Sequence, residues 1–139
     1  MISVESRRAV RTGFPARPDR AAAVRRMVTG WLTAWQLDHV AEVATLAANE
    51  LFANAVEHGS AGPEDTVVVS VEANEREVRV EVIDSSPARP APRRAGESEE
   101  SGRGLAIVDT LAAAWGTEQP APGGTGKKVW FTLRLEEER

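Results

Sequence analysis

The stretch Ala47-Ala-Asn-Glu-Leu-Phe-Ala-Asn-Ala-Val-Glu-His-Gly59 decides how the rest of this chain is read. Its Ala, Leu and Val positions read as the last turns of an amphipathic helix, yet it carries Glu50 and Asn54 four residues apart. That spacing stacks both side chains on one helical face. Asn is a mediocre helix former, more at home in caps and turns. An acid and an amide together inside an apolar helix therefore invite a chemical explanation. A carboxylate takes a proton, and an amide oxygen ligates a hard cation such as Mg²⁺. By itself the pair is more often a solvated helix face; the material downstream changes the balance.

Around this stretch the apolar pattern predicts two consecutive helices. Val24, Met27, Val28, Trp31, Leu32 and Trp35 make one stripe, with Asp19 as the expected N-cap. Asp38 restarts the pattern, and Val40, Val43, Ala44, Ala47, Leu51 and Ala55 line a second helix that stops at Gly59. Glu50 and Asn54 fall beside that stripe, at the border of core and solvent. Before the helices, Ala9 to Phe14 predicts a short edge strand ended by the Pro15–Pro18 turn. After them, Thr66 to Val71 and Val78 to Ile83 predict a hairpin joined through Asn74 and Glu75. Residues 85–101 break all periodicity, and so long a connection is characteristically a functional lid or a tether. Leu105, Val108, Leu111, Ala112 and Trp115 predict a third helix, then a short strand, and Lys128 to Leu135 alternates as a closing strand. Helices and antiparallel strands come in blocks, which indicates an α+β fold with a layer of helices on one face of a sheet.

The chain has 139 residues, 42% of them hydrophobic, enough for a single domain spanning 1–139 with its own core. Net charge is −4, so there is no global basic field for nucleic acid or an anionic membrane. The chain has no cysteine, which excludes disulfides, thiolate nucleophiles and Cys-based metal sites, and its two histidines are too few for a His-rich cluster. No apolar run approaches the ~20 residues of a membrane span, and no signal-peptide core is present. The expectation is a cytoplasmic protein with no membrane and no direct nucleic-acid contact.

Four places could carry chemistry: Glu50 and Asn54, Asp84, Gly102-Arg-Gly-Leu105, and Thr125-Gly-Lys127. Asp84 could be a plain turn former after a strand. It also closes a hydrophobic strand and opens the long loop, where a carboxylate can accept from an exocyclic amine such as adenine N6. Gly102 and Gly104 serve either as a hinge or as a backbone that approaches a polyphosphate at a helix N-terminus. Arg103 reads equally as a phosphate partner or as a solvated side chain. Gly126-Lys127-Lys128 is no P-loop, because Ala121 and Lys128 stand where Gly and Ser or Thr are required. Gly102-x-Gly104 is no dinucleotide fingerprint, because Ile107 takes the place of the third glycine. His58 reads best as a dipole partner at its helix end.

Together these blocks resemble the GHKL ATPase/kinase superfamily with the Bergerat fold, closest to the anti-sigma-factor serine kinases and their stand-alone histidine-kinase-like ATPase relatives. The resemblance runs from about Phe14 to Leu135. Glu50-Leu-Phe-Ala-Asn54-Ala-Val-Glu-His58-Gly59 matches the N box, Val82-Ile-Asp84 the start of the G1 box, and Gly102-Arg-Gly-Leu105 the G2 box. Thr125-Gly-Lys127 is similar to the terminal block. The resemblance implies a two-layer sandwich whose sheet is mixed but largely antiparallel, covered on one face by about three helices, with 85–101 as the ATP lid. It implies ATP and Mg²⁺ as cofactors. Asn54 would ligate the metal and Asp84 hold adenine. Gly102, Arg103, Gly104, Leu105, Thr125 and Lys127 would complete the nucleotide site, with Glu50 as general base. The family's G1 box continues Asp-x-Gly-x-Gly, whereas this chain reads Asp84-Ser-Ser-Pro-Ala88.

The function so implied is a serine kinase that binds a sigma factor and phosphorylates a small antagonist (anti-anti-sigma) protein, with a homodimer allowed by the habit of its relatives. The altered G1 box supports a second reading, a catalytically inactive module that regulates a partner by contact alone. A third is a histidine-kinase catalytic domain that depends on a separate phosphoacceptor partner.

Overall fold

The computed structural model describes residues 7–60, 62–85, 106–119 and 126–135. Strand β1 (Arg8–Pro15) leads through a single 3₁₀ turn (Pro18–Arg20) into helices α1 (Ala21–Ala34) and α2 (Asp38–His58). Strands β2 (Thr66–Ala73) and β3 (Glu77–Asp84) follow, then helical residues 106–111, and strands β4 (Ala114–Glu118) and β5 (Lys127–Arg134). The sheet order is β1-β2-β3-β5-β4. Every strand pair is antiparallel, where the sequence left room for a mixed sheet. The α+β class and the single helical layer are as expected.

The core forms where the helices lie on one sheet face. Val24, Val28 and Leu32 of α1 and Ala44, Ala48, Leu51, Phe52 and Ala55 of α2 are buried against that face. From the sheet come Val69 and Val71 of β2, Val78, Val80 and Val82 of β3, and Val129, Phe131 and Leu133 of β5. Because strand side chains alternate, the register of β3 puts Asp84 on the same covered face as its three valines. Phe14 closes one end of the core edge-on to Phe52, ring centroids 6.1 Å apart.

Local chemistry sets the turns. The β2–β3 hairpin is held by Asn74, whose side-chain oxygen accepts from the backbone N–H groups of Arg76 and Glu77 at 2.7 and 2.9 Å. The α1–α2 corner is a Schellman turn: Leu37 N donates to Leu32 O at 2.8 Å and Gln36 N to Thr33 O at 2.9 Å. Gln36 takes the left-handed conformation, φ 65°, that such a turn demands. Alongside the corner, Thr29 and Thr45 hydroxyls meet at 2.8 Å and Arg25 Nη1 donates to Asn49 Oδ1 at 3.0 Å, pinning the two helices together.

Two expectations are corrected. Asp19 is not the N-cap of α1; it lies in the 3₁₀ turn, where Arg17 donates to both of its oxygens at 3.2 and 3.0 Å. The hydrogen bond from Arg17 holds the Asp19 carboxyl below its ordinary range. Trp115 is not on the third helix but in β4, opposite Phe131. Helical spacing from Val108 runs on through it by coincidence across an alanine run, while strand pairing with β5 decides its conformation. Its indole N–H reaches back to Asp109 Oδ1 at 2.7 Å.

The other sheet face carries polar and amphipathic side chains. Arg79 lies over the Trp130 ring, 4.4 Å from its centroid, and binds Glu81 at 2.8 Å. Gly116 lets the ring lie flat on β4, since a Cβ there would be 3.0 Å from Trp130 Cζ2.

Candidate functional site

The site is built where the C-terminal end of α2 meets the end of β3. Glu50 and Asn54 are both half-buried on α2, as their place beside the apolar stripe requires. They are about 6 Å apart along the helix axis, with Gly59 about 7.5 Å beyond Asn54. The helix ends there, its last turn closed by Gly59 N donating to Ala55 O at 2.8 Å and Ser60 Oγ donating to Val56 O at 3.0 Å.

Asp84 faces that end. Among the described residues it is the one charged side chain in the buried class. A buried carboxylate demands donors. Lys127, its register partner at the start of β5, supplies one: its backbone N donates to Asp84 Oδ1 at 3.1 Å. The Lys127 ammonium lies 4.0 Å from Asp84 Oδ2. Gly126 immediately before it has φ 100°, a conformation that favours glycine.

Gly59 makes the approach of Asp84 to the helix sterically feasible. A Cβ there would run into Asp84 Oδ2, lie 2.5 Å from Asp84 Cγ and 3.1 Å from Ala55 O. The carboxylate is thus packed at a helix C-terminus, the negative end of the backbone dipole. Two sources of negative potential converge there, and the place selects hydrogen-bond donors and cations. An exocyclic amine fits that chemistry at one end. Further along α2, the Asn54 amide and the Glu50 carboxylate face the solvent border, where an oxygen ligand and a proton acceptor are of use.

The sequence singled out Glu50 and Asn54, Asp84, and Lys127 as separate sites; the structure puts the first two on α2, Asp84 at the end of β3 and Lys127 opposite it at the start of β5. Sequence reasoning read Gly59 only as a helix stop and passed over its packing on Asp84. Gly102, Arg103, Gly104, Leu105 and Thr125 lie outside the described residues, as does the expected lid apart from Ser85. His58 is exposed, with Nε2 3.4 Å from Glu57 Oε1.

Residues 14–133 match the histidine kinase-like ATPase domain family. The chain belongs to that family, within the GHKL superfamily. It is similar to the uncharacterized protein SCO4941 of Streptomyces coelicolor, 39% identical over 72 residues, covering 50% of this chain and 68% of that one. Among solved structures it resembles the RsbU and RsbW domains of Rv1364c from Mycobacterium tuberculosis, with a TM-score of 0.67 and 26% identity. That match covers 92% of this chain but 32% of the other, so the chain spans about a third of the solved structure's length. No helix among the described residues is long and apolar enough to cross a membrane.

Proposed function

We propose that this chain is a cytoplasmic, ATP-dependent serine kinase of the anti-sigma type, which binds a sigma factor and phosphorylates a serine of a small antagonist protein. One observation carries the reading. The buried Asp84 carboxylate sits against the end of the same helix that presents Glu50 and Asn54. An adenine amine on Asp84 would direct a nucleotide's phosphates back along α2 toward Asn54. The Asn54 amide oxygen suits a Mg²⁺ ion shared with phosphates, because that ion takes one or two protein ligands and fills its shell from phosphate and water. Such an ion neutralises charge on the transferring group. Glu50 accepts the proton of the attacking serine, and Gly102, Arg103, Gly104, Leu105, Thr125 and Lys127 are the expected remainder of the nucleotide site.

The test is transfer of label from γ-labelled ATP into small proteins of the source cell. The wild-type chain labels a serine; Glu50→Ala binds ATP but loses about 10²–10⁴ in rate. Undiminished transfer by Glu50→Ala removes it as the base.

A second reading is favoured by the chain Asp84-Ser-Ser-Pro-Ala88, which lacks the glycines of the family's G1 box, and by the Lys127 ammonium beside Asp84. In it the domain regulates a partner by contact alone. It expects no transfer to any protein and partner binding that survives Asn54→Ala.

A further inference from the structure

We propose that the outer edge of β1 is a docking strand for an extended acidic segment of a partner protein, which extends the sheet by one strand.

The ladder shows which backbone groups are on offer. β1 stands at one end of the five-stranded sheet and pairs with β2 along all 8 of its residues, with no bulge. Just beyond it, Ala16 N donates to Asp65 O at 2.8 Å, the next pair in that register. Opposed antiparallel residues alternate between pairs that exchange both bonds and pairs that exchange none. The bonded class therefore continues through Phe14, Thr12, Val10 and Arg8, and the N–H and C=O groups of Ala9, Arg11 and Gly13 point away from β2. Among the described residues no strand pairs with that side of β1. Such an edge is a template for a further strand.

Charge selects the strand. Arg7, Arg8 and Arg11 are exposed, and β1 carries no acidic residue. Arg11 has no ion pair among the described residues, and Arg8 Nη1 reaches the Trp35 carbonyl at 3.4 Å. An edge so charged repels a basic strand and favours an acidic one. Alternation puts Arg8 and Val10 on the helix-covered side of the sheet and Arg11 on the open side. An antiparallel newcomer therefore carries, in chain order, an acid opposite Arg11, an apolar residue opposite Val10, any residue, and an acid opposite Arg8. Beside the end of α1 that Arg8 contacts, Trp31 is 43% exposed, its ring 6.0 Å from that of Trp35.

The experiment is NMR titration of the full chain with a capped octapeptide holding that order of acid, apolar, any and acid. A second peptide with lysine at both acid positions is the control. The result expected is a shift of the Ala9, Arg11 and Gly13 amides, with exchange there slowed about tenfold at saturating acidic peptide. The lysine peptide leaves the wild type unchanged and binds the double variant Arg8→Glu, Arg11→Glu. Arg11→Gln, a milder change should that reversal disturb folding, weakens the acidic peptide. Ala9→Pro removes one outward N–H while sparing the bonds to β2, and also weakens it; attraction by charge alone would leave it unaltered. Lack of binding at millimolar acidic peptide, equal binding of both peptides, or shifts confined to other surfaces overturns the docking strand. So does concentration-dependent protection of the same amides without peptide, with a dimer mass in sedimentation, which assigns the edge to a second copy.

Discussion

Gly59 and Asp84, 25 positions apart in the chain, touch: the missing Cβ of the glycine is the space that the buried carboxylate fills. This contact joins the end of α2 to the end of β3 and sets the distance between them. Gly59→Ala forces a methyl group into the Asp84 carboxylate and toward Ala55 O. It is expected to cost about 1–3 kcal/mol of stability, as overpacking does. Urea unfolding measures it, and combining Gly59→Ala with Asp84→Ala recovers part of the loss. A shift within about 0.5 kcal/mol, the range of an ordinary surface change, contradicts the contact.

The α1–α2 corner rests on Gln36 at φ 65°, where a side chain with a Cβ is strained. Glycine has no such penalty, so Gln36→Gly stabilises the chain by about 1 kcal/mol. Thermal denaturation reads the change as an upward shift in Tm. A loss of stability would mean that the Gln36 side chain contributes more than its backbone costs.

Phe52 is fully buried on α2 and meets Phe14 edge-on. Phe52→Ala removes that contact and opens a cavity beneath β1, at a cost of about 3–5 kcal/mol. The neighbouring Ala53 is exposed, and Ala53→Ser stays within about 0.5 kcal/mol. Equal losses at the two positions would contradict the assigned helix face.

On the open sheet face Arg79 covers the Trp130 ring and pairs with Glu81 and, at 3.5 Å, with Glu118. Arg79→Met keeps stem packing and loses the charge, at a cost of about 0.5–1 kcal/mol that shrinks in high salt. Trp130 emission and urea midpoints at two ionic strengths check it. A loss independent of salt would assign the effect to packing.

Much of the fold was legible because burial and periodicity coincide. The stripe Ala44, Ala47, Leu51 and Ala55 is buried as its spacing demands, and Val78, Val80 and Val82 face the core as their alternation demands. Asn74 in the hairpin turn was equally readable, from the local chemistry of its side chain. Trp115 was misread because an i, i+3, i+4 pattern persists through Ala112 to Ala114, and only the pairing of β4 with β5 overrides it. Asp19 was misread because Arg17, two residues before it, captures the carboxylate that would have capped α1. The left-handed Gln36 gave no signal, since the motif ordinarily advertises itself with Gly or Asn. At the site, Glu50, Asn54 and Asp84 stood out as polar residues in apolar segments. The packing of Gly59 on Asp84 and the approach of Lys127 are long-range consequences of helix-on-sheet docking and strand register, which no local pattern encodes.

Binding of ATP to the helix end of α2 is the claim on which the functional account turns. Calorimetric titration of the purified chain with ATP, with and without Mg²⁺ and beside Asn54→Ala, tests it most directly. The account predicts saturable binding that depends on Mg²⁺ and is lost in Asn54→Ala while the fold is retained. Absence of binding by the folded wild-type chain at millimolar ATP, or binding that neither Mg²⁺ removal nor Asn54→Ala alters, contradicts it.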